Sequence, residues 1–264
     1  MMARRIVAGL VAILMLAGGS SACGLPFRQQ PSATPTESPL PTSTDTALPT
    51  ATSTPLPSET PTPTATPDLA ATQAAHNEQA VRDNLAALEL PADSGHLGWY
   101  QEEPITLGLQ GPSAKWQTFT KNFNAADFVM YSEVTWKTNG WPTCGLLFRS
   151  DGRLGKGNMY ALQFLRYSGL PAWDIEYYRD GQFVSTITND VKFSDYLEID
   201  DGATNKFLLA ASGNEFKLYL NDNYEGQYYD WSKKLSEGQI AFLATQPAGS
   251  TQCIFENSWV WVYK

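Results

Sequence analysis

The chain has 264 residues, of which 42% are hydrophobic and 17% charged, and its formal net charge is −9. These values are typical of a globular protein with one or two domains. The acidic balance, without a long run of Lys or Arg, argues against nucleic-acid binding. Three Cys and two His argue against a His/Cys zinc site, which usually needs four such ligands.

Residues 1–22 have the pattern of an export signal peptide, with a short positive start and an apolar run over 6–17. That run is shorter than the ~20 residues that span a bilayer core. Small residues then precede Cys23, an arrangement that resembles the lipobox of bacterial lipoproteins, although Ser20 stands where that motif prefers an aliphatic residue. The resemblance implies a chain that is exported and held at an extracytoplasmic or cell-surface position by a membrane lipid anchor on Cys23. Ordinary secretion with Cys23 unmodified is the alternative.

Residues 23–67 form a linker between that cysteine and the rest of the chain. Over 31–67 nearly every residue is Pro, Thr, Ser or Ala. Such a composition cannot bury enough apolar surface to offset chain entropy, so we predict a disordered segment. Its many prolines predict a semi-rigid spacer between the membrane and the domain.

A short helix is predicted over residues 68–91. The Thr-Pro-Asp sequence at 66–68 is typical of a helix start, and Ala-rich sequence follows. Val81, Leu85 and Leu88 fall on one helical face. Because this apolar stripe is narrow, we expect weak docking on the domain.

Residues 92–264 are predicted to form one all-β domain. Many short strands, separated by turns and with little helix between them, indicate an antiparallel sandwich or barrel. The predicted strands cover 128–136, 145–149, 159–167, 173–178, 182–187, 207–212, 215–220, 239–244 and 253–263.

Five motifs follow one another in a known order, at 148–149, 160–163, 213–221, 237–242 and 255–257. From about residue 126 onward this order resembles the concanavalin A-like lectin/glucanase superfamily, and most closely its branch of laminin-G-like and 3-keto-disaccharide hydrolase domains. The resemblance implies a two-sheet antiparallel jelly-roll sandwich. It also implies that polysaccharides or oligosaccharides are bound or cut on the concave sheet.

Candidate ligand-binding residues follow from strand alternation within this expected fold. Tyr160, Leu162 and Phe164 share a face that the resemblance places in the core, so Arg149 and Gln163 are expected to point outward as polar anchors for a glycan. We also select Trp141, Trp173 and Tyr177 as rings that could stack on sugars. Core packing is the alternative for each aromatic residue, and Trp259 and Trp261 of the last strand are assigned to the core.

Cys144 and Cys253 remain once Cys23 is set aside. In an exported chain, two remaining cysteines predict one disulfide. Strand parity agrees, because Cys144 is in phase with Leu146 and Cys253 with Phe255. Two separate thiols are the alternative.

Catalytic residues are poorly supported. Glu176 is an outward acid of a predicted strand, and Glu198 lies in an acidic segment resembling the laminarinase-type motif, but Ala203 stands at the position of the second Glu. We therefore interpret that segment as a turn. Ala161 likewise stands where the 3-keto-glycoside hydrolases often have an acid. The sequence contains no Gly-x-Ser-x-Gly motif, so it gives no sign of a Ser-His-Asp hydrolase.

Three hypotheses for function follow. The first is a non-catalytic glycan-binding domain. The second is a glycoside hydrolase, including 3-keto-glycosides, with Glu176 or Glu198 as the acid. The third is a structural role through another envelope protein. Asn/Asp groups at 189–190, 200–201 and 221–223 could bind calcium, but turns are the favoured interpretation, and no other cofactor is expected.

Overall fold

The structure is a computed structural model that describes residues 69–120 and 123–263. The predicted signal peptide, Cys23 and the linker up to residue 67 lie outside the described residues. The elements in chain order are α1 (Leu69–Ala87), β1 (His96–Tyr100), β2 (Ile105–Gln110), β3 (Ser113–Thr118), β4 (Asn124–Ala125), β5 (Phe128–Thr138), β6 (Thr143–Ser150), β7 (Met159–Tyr167), β8 (Leu170–Arg179), β9 (Gln182–Thr186), β10 (Lys192–Phe193), β11 (Thr204–Ser212), β12 (Glu215–Leu220), β13 (Asn223–Tyr229), β14 (Gly238–Gln246) and β15 (Ser250–Val262).

The strands form two antiparallel sheets. A seven-stranded sheet has the order β1-β15-β5-β11-β12-β13, with β2 also paired to β15. An eight-stranded sheet has the order β10-β8-β7-β6-β14-β3, with β4 on β14 and β9 on β8. The two-sheet antiparallel sandwich that the family resemblance implies is therefore confirmed.

The core lies between the inner faces of the two sheets. Alternation along β7 buries Tyr160, Leu162 and Phe164 in this layer, as predicted. β12 contributes Phe216 and Leu218 from the opposite sheet. Phe148 packs edge-on against Phe216, with ring centroids 5.3 Å apart, so the two sheets interlock through aromatic side chains.

The predicted disulfide is confirmed. Cys144 of β6 is bonded to Cys253 of β15, with 5.8 Å between their Cα atoms and a sequence separation of 109. Because β6 and β15 belong to different sheets, this bond links the two layers through the core. A loop of this length loses much chain entropy when it is closed, so the bond constrains the unfolded state strongly.

A β-bulge in β15 changes which residues face the core. Phe255 faces the interior, but the register shifts between Glu256 and Trp259, where Asn257 has a φ of 51°. One extra residue moves the following side chains to the opposite face. Trp259 and Trp261 are buried as predicted, but they lie on the outer face of the seven-stranded sheet instead of between the sheets.

The predicted helix covers that outer face. Val81 and Leu85 of α1 are fully buried against Trp261 and its neighbours, and the Arg82 guanidinium lies 4.6 Å from the Trp261 ring centroid. This contact is firmer than the narrow apolar stripe predicts, since the bulge supplies large tryptophan rings for the helix to pack on. In the described part of the chain, no helix is long and apolar enough to cross a membrane.

Candidate functional site

Helix α1 covers the outer face of the seven-stranded sheet, whereas the outer face of the eight-stranded sheet carries a group of polar side chains. Outward positions of β7 and β8 carry Gln163, Asp174, Glu176 and Tyr178, a group called here the acidic cluster. Strand pairing places Gln163 directly opposite Asp174, and Glu176 opposite Ala161. The core-facing partners on β8 are Trp173, Ile175 and Tyr177, so simple alternation builds the cluster.

Glu176 is held in a fixed position. The Gln163 amide and the Tyr178 hydroxyl each donate a hydrogen bond of 2.5 Å to its Oε2 atom. Burial raises the pKa of Glu176, and the two hydrogen bonds oppose that rise only in part. Oε1 accepts no hydrogen bond from the described residues, so this oxygen is free to accept one from a ligand hydroxyl.

Asp174 is the most deeply buried acid of the cluster, with 4% of its surface exposed. Its Oδ1 atom is buried without a hydrogen-bond partner among the described residues. Burial raises the pKa of Asp174 to about 7, and the charges of Glu176 and Asp190 add to the rise. Near neutral pH this carboxyl is therefore partly protonated and can donate as well as accept a hydrogen bond.

A second feature of the same face is the Trp116 pocket, a cavity of about 640 Å³. Its lining residues are Trp116, Thr118, Gly152, Arg153, Leu154, Lys156 and Gln239. Trp116 is 38% exposed, and its ring packs on Gly155, where a Cβ atom would lie 2.4 Å from the ring. The pocket thus has an aromatic wall, polar side chains and two cations.

Arg149 lies elsewhere than expected. A β-bulge with a φ of 48° at Arg149 turns its side chain into the sandwich, where it is 1% exposed. The guanidinium donates hydrogen bonds to the carbonyl oxygens of Ala126, Gly213 and Leu235. The expectation of an outward glycan anchor is wrong for this residue, since all these bonds tie loops together inside the fold.

Trp173 and Tyr177 are also corrected. Both face the core of the sandwich and are almost fully buried. The Trp173 indole donates to Glu225 at 3.1 Å, and the Lys234 ammonium lies 4.9 Å from the Tyr177 ring centroid. Neither ring presents a face to solvent, so the packing alternative explains both. Trp141 is 52% exposed in the connection between β5 and β6.

The structure does not bring the two candidate acids together. Glu176 lies on β8 of the eight-stranded sheet. Glu198 is an exposed residue before β11, and its backbone is bonded to the Asn205 side chain and to the Trp136 indole of the seven-stranded sheet. The segment around Glu198 contains no strand, in agreement with its interpretation as an acidic turn.

Sequence reasoning missed Asp174 and Trp116. Asp174 is two residues before Glu176, so the alternation that marks Glu176 as outward also marks Asp174. Trp116 belongs to the pocket only through the pairing of β3 with β14 and the contact with Gly155, which local sequence does not reveal.

The Asn/Asp groups lie in turns. Asn221 and Asp222 have φ values of 47° and 65° in the turn between β12 and β13, and Asn221 binds the Lys206 backbone at 2.8 Å. Left-handed turn positions favour Asn and Asp. Across residues 69–120 and 123–263, no group of three or more His, Cys, Asp or Glu side chains is placed to hold a metal ion.

The solved structures that are similar to this protein match only part of its chain. No protein-family model and no curated protein matches the chain. Among solved structures, the carbohydrate-binding module CBM66 from Bacillus subtilis is 22% identical, with a TM-score of 0.46 over 58% of this chain and 85% of that one. A Bacillus licheniformis beta-glucanase is 10% identical, with a TM-score of 0.43 over 62% and 82% of the two chains. Sheep galectin-11 in complex with glycerol is 11% identical, with a TM-score of 0.34 over 54% and 98%.

Proposed function

We propose that the domain binds carbohydrate on the outer face of the eight-stranded sheet and does not cleave it. The observation that carries this proposal is Glu176, which Gln163 and Tyr178 hold in place while its Oε1 atom stays unbonded within the described residues. A carboxylate fixed in this way accepts a hydrogen bond from a sugar hydroxyl at little entropic cost. Gln163 is the one predicted polar anchor that lies on this face.

Exposed aromatic rings on the same face support the proposal. Phe183 of β9 is exposed and packs edge-on against Tyr178, with ring centroids 6.2 Å apart. Trp116 lies on β3, near the opposite edge of the same sheet. Ring faces of this kind pack on the apolar faces of sugars, while neighbouring polar groups bind the hydroxyls.

The burial of one of the two carboxyls favours binding over cleavage. Glycoside hydrolysis generally needs two carboxyl groups that flank the scissile bond, about 5–5.5 Å or about 6.5–9.5 Å apart. Asp174 and Glu176 share one strand and one face, and Asp174 is almost entirely buried. A bound glycan therefore meets one accessible carboxylate.

Hydrolysis is the second candidate, and the raised pKa values of Asp174 and Glu176 favour it. A protonated carboxyl near neutral pH is what a general acid requires. In that case Glu176 protonates the leaving oxygen while Asp174, once exposed, takes a proton from the water that bonds to the anomeric carbon. The structural role through another envelope protein is the third candidate.

The test is a polysaccharide pull-down with the oxidised full chain, with reducing-sugar release measured in the same tubes. We expect binding without release, and a loss of affinity of about tenfold for Glu176→Gln, the usual size for a hydrogen bond to a charged group. Tyr224→Ala is the matched control, since Tyr224 is exposed on β13 of the other sheet. Release that Glu176→Gln abolishes would establish the hydrolase instead, and neither binding nor release would favour the protein-partner role.

We further propose that the protein is an exported lipoprotein with the lipid on Cys23. The disulfide between the two remaining cysteines supports an oxidising compartment, because such bonds are rare in the cytosol. Metabolic labelling with a fatty acid tests the anchor. We expect label in the wild type and none in Cys23→Ser, whereas an unlabelled wild type would contradict lipidation.

A further inference from the structure

The Trp116 pocket is lined by two cations, Arg153 and Lys156, and among the described residues only Arg153 forms ion pairs. Arg153 is neutralised by Asp151 at 2.9 Å and by Asp180 at 3.3 Å. The Lys156 side chain is exposed and forms no ion pair with any described residue. No Asp or Glu lines the pocket, although the chain has a net charge of −9.

The loop that presents Lys156 is ordered by its own hydrogen bonds. Asp151 accepts hydrogen bonds from the backbone N–H groups of Arg153 and Asn158, both at 3.0 Å. These bonds and the Arg153 charge lower the pKa of Asp151 although its burial acts in the opposite direction. Gly157 accepts from the Gly181 N–H at 2.9 Å, and this bond ties the loop to the β8–β9 turn. Lys156 is therefore presented by a preformed loop, which lowers the entropic cost of binding.

The two ends of the outer face differ in charge. Strand pairing runs from Trp116 through β14, β6 and β7 to Asp174. Four steps of about 4.8 Å give a separation of about 19 Å, the length of several sugar residues. The acidic cluster lies at the Asp174 end of this row, and the loop that carries Lys156 reaches the Trp116 ring through Gly155. A negative group on a ligand is therefore repelled by the cluster and attracted to Lys156.

We propose that the glycan is acidic and that the Trp116 pocket takes its carboxylate-bearing sugar, with the sugar ring against Trp116 and the carboxylate against Lys156. This inference rests on the proposed carbohydrate binding. An ammonium–carboxylate hydrogen bond is charge-assisted, and the ordered loop provides it without rearrangement. Thr118 and Gln239 supply polar groups for the hydroxyls of the same sugar.

The test compares acidic polymers with their neutral counterparts. The full chain is titrated with alginate, polygalacturonate and hyaluronate, and with the carboxyl-reduced derivative of each, which keeps the sugar backbone and loses the charge. Laminarin and dextran are the neutral reference polymers. We expect at least one acidic polymer to bind about tenfold more tightly than its reduced form, the size of one charge-assisted hydrogen bond.

Three variants test whether the preference for the acidic polymer comes from the Trp116 pocket. Lys156→Gln is expected to lose about tenfold in affinity for the acidic polymer and to keep its affinity for the reduced form. Lys137→Gln is the control, because Lys137 is an equally exposed lysine on β5 of the other sheet. Lys156→Arg should retain most of the preference, since it keeps the charge.

The outcomes separate this inference from the proposed function. Binding that is equal for acidic and reduced polymers, or confined to neutral ones, overturns the acidic-glycan assignment and leaves carbohydrate binding intact. Equal losses in Lys156→Gln and Lys137→Gln indicate general charge attraction and overturn the pocket assignment. If no polymer binds, the proposed carbohydrate binding itself fails, and the acidic-glycan assignment fails with it.

Discussion

The interior of the sandwich and the outer face of the eight-stranded sheet both bury charged side chains, but only the interior gives them complete sets of partners. Inside, Asp230 accepts hydrogen bonds from the Tyr160 hydroxyl and from the backbone of Ser232 and Lys234. Burial acts to raise the pKa of Asp230, but these hydrogen bonds outweigh it and the pKa is lowered. Arg149 is satisfied in the same way by backbone carbonyls.

On the outer face, Asp174 shows the opposite balance. Its Oδ1 atom has no partner among the described residues, and burial raises its pKa to about 7. Burial alone therefore does not assign a role to a charged group. A buried acid with all its partners stabilises the fold, whereas one left without a partner costs stability.

The largest effect on stability is expected from Arg149→Met, which removes a buried charge whose partners are complete. Removing the guanidinium leaves the carbonyl oxygens of Ala126 and Gly213 buried without their donor. We expect the free energy of unfolding to fall by about 3–5 kcal/mol in urea titrations. Arg179→Met is the control, and as an exposed arginine it should change stability by less than about 1 kcal/mol. A loss below that value for Arg149→Met would contradict its role as a loop clamp.

The second-largest loss of stability is expected from removal of the disulfide. Replacing Cys144 and Cys253 together by Ala is expected to lower stability by about 2–4 kcal/mol, since the unfolded chain regains the entropy of a long loop. Urea unfolding of the oxidised protein and of this double variant measures the difference. Cys23→Ala serves as the control and should match the wild type. The double variant should still bind glycan on the outer face at low temperature, where it is folded. A folded double variant that does not bind would show that the interior of the sandwich and the outer face are coupled.

The two buried acids should respond to pH with opposite signs. The folded pKa of Asp174 lies above its unfolded value of about 3.9, so its stabilising contribution is complete below about pH 4 and is lost as the pH rises through about 7. Asp174→Asn should therefore be more stable than the wild type at pH 8, by about 1–3 kcal/mol.

Asp230→Asn is the matched counterpart. Because the folded pKa of Asp230 is lowered, its contribution is present above about pH 4 and is lost as the pH falls through the folded value. This variant should be destabilised at neutral pH, with a smaller penalty in acid. Thermal unfolding of both variants at pH 3, 5 and 8 measures the two trends, and trends of the same sign would refute the comparison.

The smallest effect concerns the aromatic wall of the pocket. Trp116→Ala is expected to lower glycan affinity by about three- to tenfold, with a smaller loss of stability than Arg149→Met because the ring is partly exposed. Titration with the polymer that binds best measures this loss. Trp231→Ala, at an 80% exposed tryptophan after β13, should leave affinity unchanged. An equal loss in both variants would argue against a specific stacking role for Trp116.

Much of the fold could be predicted because strand alternation and cysteine parity are local signals. Alternation separates Tyr160 and Leu162 from Gln163, and the family resemblance adds which of these two faces is the core. Cysteine count and parity predict the Cys144–Cys253 bond. Alternation fails where a bulge inserts one residue. Arg149 has no local signal for its positive φ, and Asn257, although Asn favours the left-handed region, lies inside an otherwise continuous strand pattern. The outward position predicted for Arg149 was wrong for this reason, and Trp259 and Trp261 are buried under α1 instead of between the sheets.

The candidate site was less predictable, since it depends on contacts between distant strands. Asp174 could have been found from its parity with Glu176, but its missing partner is visible only in three dimensions. The Trp116 pocket depends on the pairing of β3 with β14 and on the loop that carries Gly155. No local pattern brings Trp116 and Lys156 together.

The most direct test of the central claim is amide hydrogen exchange with and without the polymer that binds best in the titrations. We predict slower exchange in Met159–Tyr167 and Leu170–Arg179, which carry the acidic cluster, and in the loop over 151–158. Little change is expected in α1 or in Asn223–Tyr229, on the other sheet. Protection confined to α1 and β13, with none on β7 and β8, would contradict glycan binding on the outer face of the eight-stranded sheet.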